Sequence, residues 1–187
     1  ICVQPFSSLS FHIEVLIFSS SIAVFNPDGY AGDRRTNNNR VDVNRDFSNP
    51  TIKYKAFTQP ESVGLSNFIK NFVEKTSAKL EFVVDYHCCL GSLLYPIGYS
   101  SRVKLPPQDF ADHRYVVDLM YVQFPAYYTA GTPYETVGYT AKGTTLDYWY
   151  LNYGALTFTF EGKYGSEDKK INQHDLWIQS VLLSFIN

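Results

Sequence analysis

Apolar residues fall into short runs separated by turn signals, and these runs predict β-strands. Residues 11–25 are rich in β-branched and aromatic types and end at Asn-Pro-Asp-Gly, which predicts a buried strand followed by a turn. Residues 80–86 predict a central strand that carries His87 at its end. Residues 155–160 predict another buried strand, which ends on Glu161. Two strand ends therefore present a histidine and a carboxylate.

Segments with the hydrophobic periodicity of α-helices lie between these apolar runs. The sequence Thr58-Gln-Pro-Glu predicts a helix start, with proline in the first turn, and this helix is predicted to end near Ala78. Further helices are predicted after Pro106-Pro107, over residues 143–154 and over residues 168–186. The residues predicted to face the core are Val63, Phe68, Ile69, Phe72 and Val73 in the first helix, Phe110, Val117, Met120 and Tyr121 in the second, and Ile171, Trp177, Val181, Leu182 and Phe185 in the last. Strands alternating with helices predict an α/β fold with a mixed, mostly buried β-sheet flanked by helices.

Composition and charge narrow the possible partners. The chain has 187 residues, of which 45% are hydrophobic, so it fits one domain with a substantial core. A net charge of -2, with only 18% charged residues, gives no basis for predicting nucleic acid or an acidic membrane surface as a partner. No apolar run reaches the roughly 18 residues of a membrane-spanning helix, and no signal peptide is predicted. Composition and charge therefore favour small molecules or peptides as ligands.

The residues with catalytic potential lie at strand ends and in one long polar loop. His87 and Glu161 follow buried strands, and the loop over residues 26–49 is rich in arginine. Such long loops in compact domains are typical of functional sites, and guanidinium groups bind carboxylate or phosphate, although a solvated basic loop is an equal alternative. An imidazole ligand, a carboxylate base and a cation are the parts that metal-assisted hydrolysis needs. Of the other histidines, His12 is interpreted as a packed or edge residue of the first strand, His113 as a surface or partly packed residue, and His174 as a face residue of the last helix.

Four sequence blocks occur in one order between Asn26 and Glu161. They are Asn26-Pro-Asp-Gly-Tyr30; Arg35 through Val41-Asp-Val-Asn-Arg-Asp-Phe47; Asp85-Tyr-His-Cys-Cys-Leu-Gly-Ser-Leu-Leu-Tyr-Pro-Ile-Gly98; and Tyr139 through Gly143, Asp147 and Thr159-Phe-Glu161. In these blocks the chain resembles the zinc metallocarboxypeptidases, the carboxypeptidase A-like peptidases labelled M14. The resemblance implies a carboxypeptidase A-like fold, one Zn²⁺, and a peptide or protein substrate with a free C-terminal carboxylate.

The resemblance also implies roles for particular residues. His87 matches the third zinc ligand, and Glu161 matches the general base that takes a proton from water at the metal and passes it to the leaving amine. Asn44 and Arg45 match the pair that binds the terminal carboxylate. Tyr139 matches the mobile tyrosine that closes over the substrate.

Two further positions follow from the same comparison with the family. The arginine that stabilises the oxyanion precedes Val-Asp-x-Asn-Arg and is assigned by spacing to Arg35, with Arg34 as the alternative. Leu146 falls at the family's specificity position, where an apolar side chain offers no counter-charge to a charged terminal residue. Gly98, also at a pocket position, leaves room for a bulky group. The expected substrates therefore end in an apolar or aromatic residue.

One part of the family pattern does not occur in this sequence. The first two zinc ligands of the family come from a His-x-x-Glu motif, which occurs nowhere here, and His12-Ile-Glu14 has a different spacing. Because the other catalytic positions carry the expected residue types, the expectation is a partial catalytic domain over residues 1–187 that lacks its N-terminal part, rather than a degenerate homologue. This chain alone is then expected to be inactive.

The resemblance leaves three functional hypotheses. The main one is a zinc exopeptidase that removes C-terminal residues, and the runner-up is a carboxypeptidase of the same family acting on cell-wall or γ-linked peptides. The third is a non-catalytic module that binds peptide C-termini without zinc. Cys2, Cys88 and Cys89 form no disulfide framework and leave the compartment undecided, although the family favours an extracellular or secreted one.

Overall fold

The computed structural model describes residues 22, 24–123, 129–163, 165 and 167–186. The strand predicted over residues 11–25 lies almost entirely outside this set, as do Cys2 and His12. The strands are β1 (Phe82–Leu94), β2 (Thr129–Gly131) and β3 (Leu156–Lys163). The helices are α1 (Pro27–Ala31), α2 (Pro60–Thr76), α3 (Pro107–Gln123), α4 (Pro133–Val137), α5 (Thr145–Tyr153) and α6 (Glu167–Ile186), and a 3₁₀ turn spans Val43–Arg45.

Local signals in the sequence account for most helix boundaries. Proline opens α2 directly after Gln59, and its missing N–H costs nothing at that position. The side chain of Thr144 caps α5 by accepting the backbone N–H of Asp147, and Gly154 ends this helix with a left-handed φ of 65°. The helices predicted from residue 58, after Pro106-Pro107, within residues 143–154 and at the end of the chain are confirmed.

Strand β1 is longer than predicted, and its pairing with β3 reverses direction. From Phe82 to Cys89 the partners on β3 rise from Leu156 to Lys163, whereas from Ser92 to Leu94 they fall back from Glu161 to Thr159. The two halves of β1 therefore run parallel and antiparallel to β3. Gly91, with φ 69°, lies at the reversal, where a β-branched or bulky residue would be strained.

The reversal places β3 between the two halves of β1. Thr159 pairs with both Asp85 and Leu94, and the two partners of one strand residue lie on opposite sides of it. The second half of β1 also pairs with β2 in parallel. The sheet is therefore mixed, as predicted, and its described part has four strand segments. The prediction that His87 and Glu161 end their strands is wrong, since β1 and β3 both continue past them.

Helices cover both faces of this sheet. On one face, Phe158 and Phe160 of β3 pack with residues of α3 and with Val181 of α6. On the other face, Phe47 packs with the aromatic residues of α5, and the partly buried side chains of α2 pack against them. Alternate strand residues point to opposite faces, so Asp85, His87 and Glu161 lie on the α2 and α5 side.

Several side chains lie elsewhere than predicted. Phe68, Phe72, Phe110 and Ile171 are exposed although the helical pattern placed them inward. Adjacent helical residues differ by about 100° in direction, so one contact strip cannot bury every apolar residue of these helices. His113, expected at or near the surface, is buried between α3 and β3. The side chains of Trp177, Leu182 and Phe185 are outside the described set.

Two further findings concern the cysteines and the membrane. Although the sequence predicts no disulfide framework, Cys88 is disulfide-bonded. None of the helices in the described part of the chain combines the length and the apolar character that crossing a bilayer requires.

Candidate active site

Asp85 and His87 form a hydrogen-bonded pair on β1. Residues two apart on a strand point to the same face, and Asp85 Oδ2 lies 2.9 Å from His87 Nε2. Both side chains are about one quarter exposed, 28% for Asp85 and 26% for His87. The rigid strand therefore holds an imidazole at an accessible position, with a carboxylate directly behind it.

Two other elements converge on this pair. Asn44, in the 3₁₀ turn, places its Nδ2 3.1 Å from both Asp85 Oδ2 and His87 Nε2. Thr145, at the start of α5, donates its hydroxyl to Asp85 Oδ2 at 2.6 Å and its backbone N–H to Asn44 Oδ1 at 2.9 Å. Asp85 thus joins β1, the turn and α5. Its contacts fix the side chain of Asn44 as well as that of His87.

The hydrogen bonds of His87 define which ring nitrogen is available. With Nε2–H donating to the Asp85 carboxylate, the neutral ring keeps its lone pair on Nδ1, a tautomer assigned from the hydrogen-bond network. Burial alone would lower the pKa of His87, but the hydrogen bond and charge of Asp85 and the charge of Glu161 raise it above its ordinary value. Among the described residues, none forms a hydrogen bond with Nδ1.

Glu161 lies beside His87 on the neighbouring strand. The two residues are register partners between β3 and β1. Glu161 Oε2 is buried and has no hydrogen-bond partner among the described residues. Burial raises the pKa of Glu161, and the nearby charges of His87 and Arg35 partly counter this rise. An unpaired carboxylate with a raised pKa is suited to accept and return a proton near neutral pH.

An open cleft of about 260 Å³ gives access to this cluster. Its lining residues are Phe25, Asn26, Arg35, Asp42, Val43, Asn44, Asp85, Tyr86, His87 and Thr145. Arg35 donates from Nε to Asp42 Oδ2 at 2.7 Å, with a side chain 62% exposed. Arg34 instead donates to Asn38 and does not line this cleft. The structure thus brings Arg35, rather than Arg34, to His87.

The loop that carries Tyr139 packs against Arg45. A Cβ on Gly143 would lie 2.3 Å from the carbonyl oxygen of Arg45, and Phe47 donates its backbone N–H to Gly143 at 3.0 Å. Arg45 donates from Nη1 to the carbonyl of Asn44 at 2.7 Å. Tyr139 itself is 52% exposed and does not line the cleft. Arg45 is also not among the residues that line the cleft, and the contact shown is between the loop of Tyr139 and the backbone of Arg45.

Leu146 and Gly98 are linked through Asp147. Leu146 is buried in the first turn of α5, and its carbonyl accepts the hydroxyl of Thr157. Gly98 follows β1 and donates its backbone N–H to Asp147, the residue next to Leu146, at 2.8 Å. Neither of these two predicted pocket residues is among those that line the cleft.

Asp85 and Thr145 were not among the predicted site residues. The signal for Asp85 was present, since an Asp-x-His spacing on a strand places both side chains on one face. Thr145 carries no comparable signal, because its role depends on the approach of α5 to β1. Its hydroxyl joins residues 60 positions apart.

The donor set fits one zinc ligand. A neutral imidazole with a carboxylate behind it is the usual arrangement of a zinc-binding histidine, and Nδ1 of His87 is available for it. Within the described ranges, no group of three or more His, Cys, Asp or Glu residues could hold a metal ion. A catalytic zinc site needs three protein ligands, and the described residues offer one candidate, His87.

Comparisons with known proteins identify the family of the chain. Residues 20–175 match the family model described as zinc carboxypeptidase. The chain is 28% identical to human mast cell carboxypeptidase A over 176 residues, which cover 77% of this chain and 41% of that protein. It therefore spans less than half the length of this curated relative.

Solved structures share the fold. Carboxypeptidase A from Helicoverpa armigera is 20% identical with a TM-score of 0.67, over 86% of this chain and 49% of that one. Bovine thrombin-activatable fibrinolysis inhibitor, solved with tick carboxypeptidase inhibitor, is 18% identical with a TM-score of 0.65, over 84% and 66% of the two chains. The predicted carboxypeptidase A-like fold is thus confirmed, and the family match extends over most of the sequence. The chain belongs to the zinc carboxypeptidase family.

Proposed function

We propose that the protein is a zinc-dependent exopeptidase that hydrolyses the C-terminal peptide bond of peptides. The observation that carries the proposal is the pairing of His87, held by Asp85, with the buried and unpaired carboxylate of Glu161 on the adjacent strand. This pairing supports the roles proposed for the two residues, a metal ligand and a proton acceptor. Membership of the zinc carboxypeptidase family supports the same reaction.

The proton transfers are assigned to Glu161. Zinc, when bound, supplies a Lewis acid that polarises the scissile carbonyl and lowers the pKa of water. His87 offers Nδ1 to the metal, while Asp85 keeps the proton on Nε2. Glu161 accepts a proton from the attacking water and returns it to the leaving amine. Its raised pKa makes both transfers feasible near neutral pH.

Binding of the terminal carboxylate is assigned to the 3₁₀ turn and its neighbours. A guanidinium can bind a carboxylate through two parallel hydrogen bonds, and Arg45 lies beside the amide of Asn44 in the same turn. Tyr139 stands on an adjoining loop, half exposed, and is proposed to close over the bound substrate. Arg35 lines the cleft beside His87 and is proposed to stabilise the developing oxyanion.

Side-chain preference is assigned to Leu146 and Gly98. Leu146 is buried and offers no charge to compensate a charged terminal residue, and Gly98 adds no side chain to the proposed pocket. Substrates ending in an apolar or aromatic residue are therefore proposed. We further propose that residues 1–187 alone give no turnover. The sequence contains no His-x-x-Glu motif, and the described residues include no group that could hold a metal ion.

A second candidate is a non-catalytic module that binds peptide C-termini. It is favoured by one observation, namely that the described residues hold Asn44 and Arg45 together but provide no complete metal cluster. Zinc content distinguishes it from the enzyme. A natural full-length protein that purifies without stoichiometric zinc would exclude the exopeptidase and leave the binding module.

A panel of blocked dipeptides tests the reaction and its specificity. The peptides end in Phe, Leu, Lys, Glu or a D-residue, and release of the last residue by the full-length protein is measured. Faster release of Phe and Leu is expected. Faster release of Lys or Glu would contradict the pocket assignment, and activity confined to D-residues or γ-linked peptides would identify a cell-wall type carboxypeptidase.

A further inference from the structure

A buried carboxylate joins the two sides of the proposed pocket. Asp147 is 1% exposed and lies in the first turn of α5, directly after Leu146. Its Oδ1 accepts the backbone N–H of Gly98, and its Oδ2 accepts that of Tyr99, both at 2.8 Å. One side chain therefore satisfies two consecutive backbone donors of the segment that follows β1.

Gly98 is also tied to the loop of Tyr139. Its carbonyl accepts the backbone N–H of Ala141 at 2.8 Å. Through Gly98, Asp147 thus connects the first turn of α5 to the loop that carries the proposed substrate-closing tyrosine. The hydrogen bonds join three separate segments at one point behind the cleft.

The space around Gly98 is set by the same carboxylate. A Cβ added at this position would lie 3.3 Å from Asp147 Oδ2 and 3.2 Å from Pro133 Cγ. A buried carboxyl must be held by strong hydrogen bonds if it is to stay charged. Burial raises the pKa of Asp147 to about 6, although the two backbone N–H groups favour the charged form. The carboxylate is thus retained at an energetic cost, which suggests a role beyond filling space.

We propose that Asp147 is a positioning residue that sets the width of the side-chain pocket by holding Gly98 and Tyr99 against the first turn of α5. The proposal rests on the proposed carboxypeptidase function and adds a determinant of its specificity. Asp147 is too buried to touch the substrate. It acts through the backbone of Gly98, the packing of Leu146 and the loop attached at Ala141.

Asp147→Asn in the natural full-length protein tests the proposal. The amide oxygen can accept only one of the two N–H groups, and the amide nitrogen would face the other. For a blocked dipeptide ending in Phe, KM is expected to rise about tenfold, and kcat is expected to stay within about twofold of the wild-type value. For the same peptide ending in Ala, KM is expected to change by less than about threefold. Gly98→Ala, whose Cβ would press against Asp147 Oδ2 and Pro133 Cγ, is expected to reduce the preference for Phe in the same way.

Glu135→Gln is the matched control. Glu135 completes the capping box of α4 by accepting from Thr132, and it makes no contact with Gly98 or Leu146 among those described. This variant is expected to lower the unfolding temperature without changing the ratio of Phe to Ala. If Asp147→Asn also lowers only the unfolding temperature, or changes both peptides equally, Asp147 has a purely structural role and the proposal is wrong.

Binding measurements separate this proposal from the proposed function. Dissociation constants of the two peptides are measured by calorimetry with Glu161→Gln as the parent, so that no turnover is needed. If the wild-type protein binds the peptides without cleaving them, the proposed reaction fails, whereas loss of Phe selectivity in the double variant still supports the role of Asp147. A parent that binds both peptides equally would overturn the positioning role.

Discussion

His87 and Glu161 are paired residues on adjacent parallel strands, β1 and β3. Hydrogen bonding within the sheet, rather than a loop, holds their backbones at the spacing of neighbouring strands, about 4.8 Å. The relative position of the proposed ligand, His87, and the proposed base, Glu161, is therefore set by the register of the sheet. Substitutions of either side chain should change chemistry with little change in the backbone.

Glu161→Gln is expected to lower kcat by about 10²- to 10⁴-fold, because an amide cannot accept the proton. Zinc content, measured by elemental analysis of the full-length protein, should stay unchanged. Glu81→Gln is the control, since Glu81 is exposed and pairs only with Lys79. A variant with near-normal kcat would show that Glu161 is not the base.

Asp85→Asn is expected to lower zinc affinity about 10- to 100-fold, because a neutral amide orients and polarises the imidazole of His87 less than a carboxylate does. Competition with a chelator measures the affinity of the full-length protein. Asp118→Asn is the control, since Asp118 forms an exposed ion pair with Arg114. Equal affinities in the two variants would show that Asp85 does not support a metal ligand.

Gly143→Ala is expected to destabilise the protein more than Gly154→Ala does. Both glycines have left-handed φ angles, 73° and 65°, where a Cβ costs about 1–2 kcal/mol. A Cβ on Gly143 would also meet the Arg45 carbonyl at 2.3 Å, whereas nothing lies within 4 Å of one on Gly154. Urea unfolding gives the difference, and KM should rise only for Gly143→Ala. Equal losses of stability would contradict the close packing of this loop.

His113 is expected to make stability depend on pH. Its Nδ1 contacts the carbonyl of Asp109 at 2.6 Å, and its Nε2 accepts the N–H of Thr157 at 3.4 Å, so the bonds favour the neutral ring. Burial lowers the pKa of His113 below its ordinary 6.5. The unfolded chain then binds more protons, so this stabilisation is complete above pH 6.5 and is lost as the pH falls toward the lowered pKa.

Unfolding free energies between pH 8 and pH 5 measure this effect. The slope contributed by His113 reaches at most about 1.4 kcal/mol per pH unit, and His113→Gln should remove it. His174→Gln is the control, because the side chain of His174 is exposed on α6. The same slope in wild type and His113→Gln would show that another group is responsible.

The elements with local signals could be predicted from the sequence. The ends of α5 follow from Thr144 and Gly154, and the start of α2 from its proline, because caps and turns depend on a few adjacent residues. The reversal of β1 could not be predicted in this way. Gly91 is a weak turn signal between apolar residues, and only the pairing with a distant strand shows that the chain changes direction there.

The candidate site likewise contains residues that could be predicted from the sequence and residues that could not. His87 and Glu161 were identifiable because each follows an apolar run and matches a family motif. The network around Asp85 was not, since its bonds to Asn44 and Thr145 span 41 and 60 residues. The burial of His113 depends likewise on which face of α3 meets β3. Contacts of this kind arise from tertiary packing, which short-range patterns do not encode.

The placement of β3 between the two halves of β1 also constrains the order of folding. β3 begins at Leu156, long after β1 ends at Leu94, and it must enter between segments that only a short turn separates. Pairing of strands that are distant in sequence costs loop-closure entropy before the stabilising contacts form. We therefore expect insertion of β3 to be a slow folding step. His87 and Glu161 then meet only after this strand has entered. A nascent or partly folded chain would lack the pair, and the chemistry proposed for the pair would be withheld until the sheet is complete.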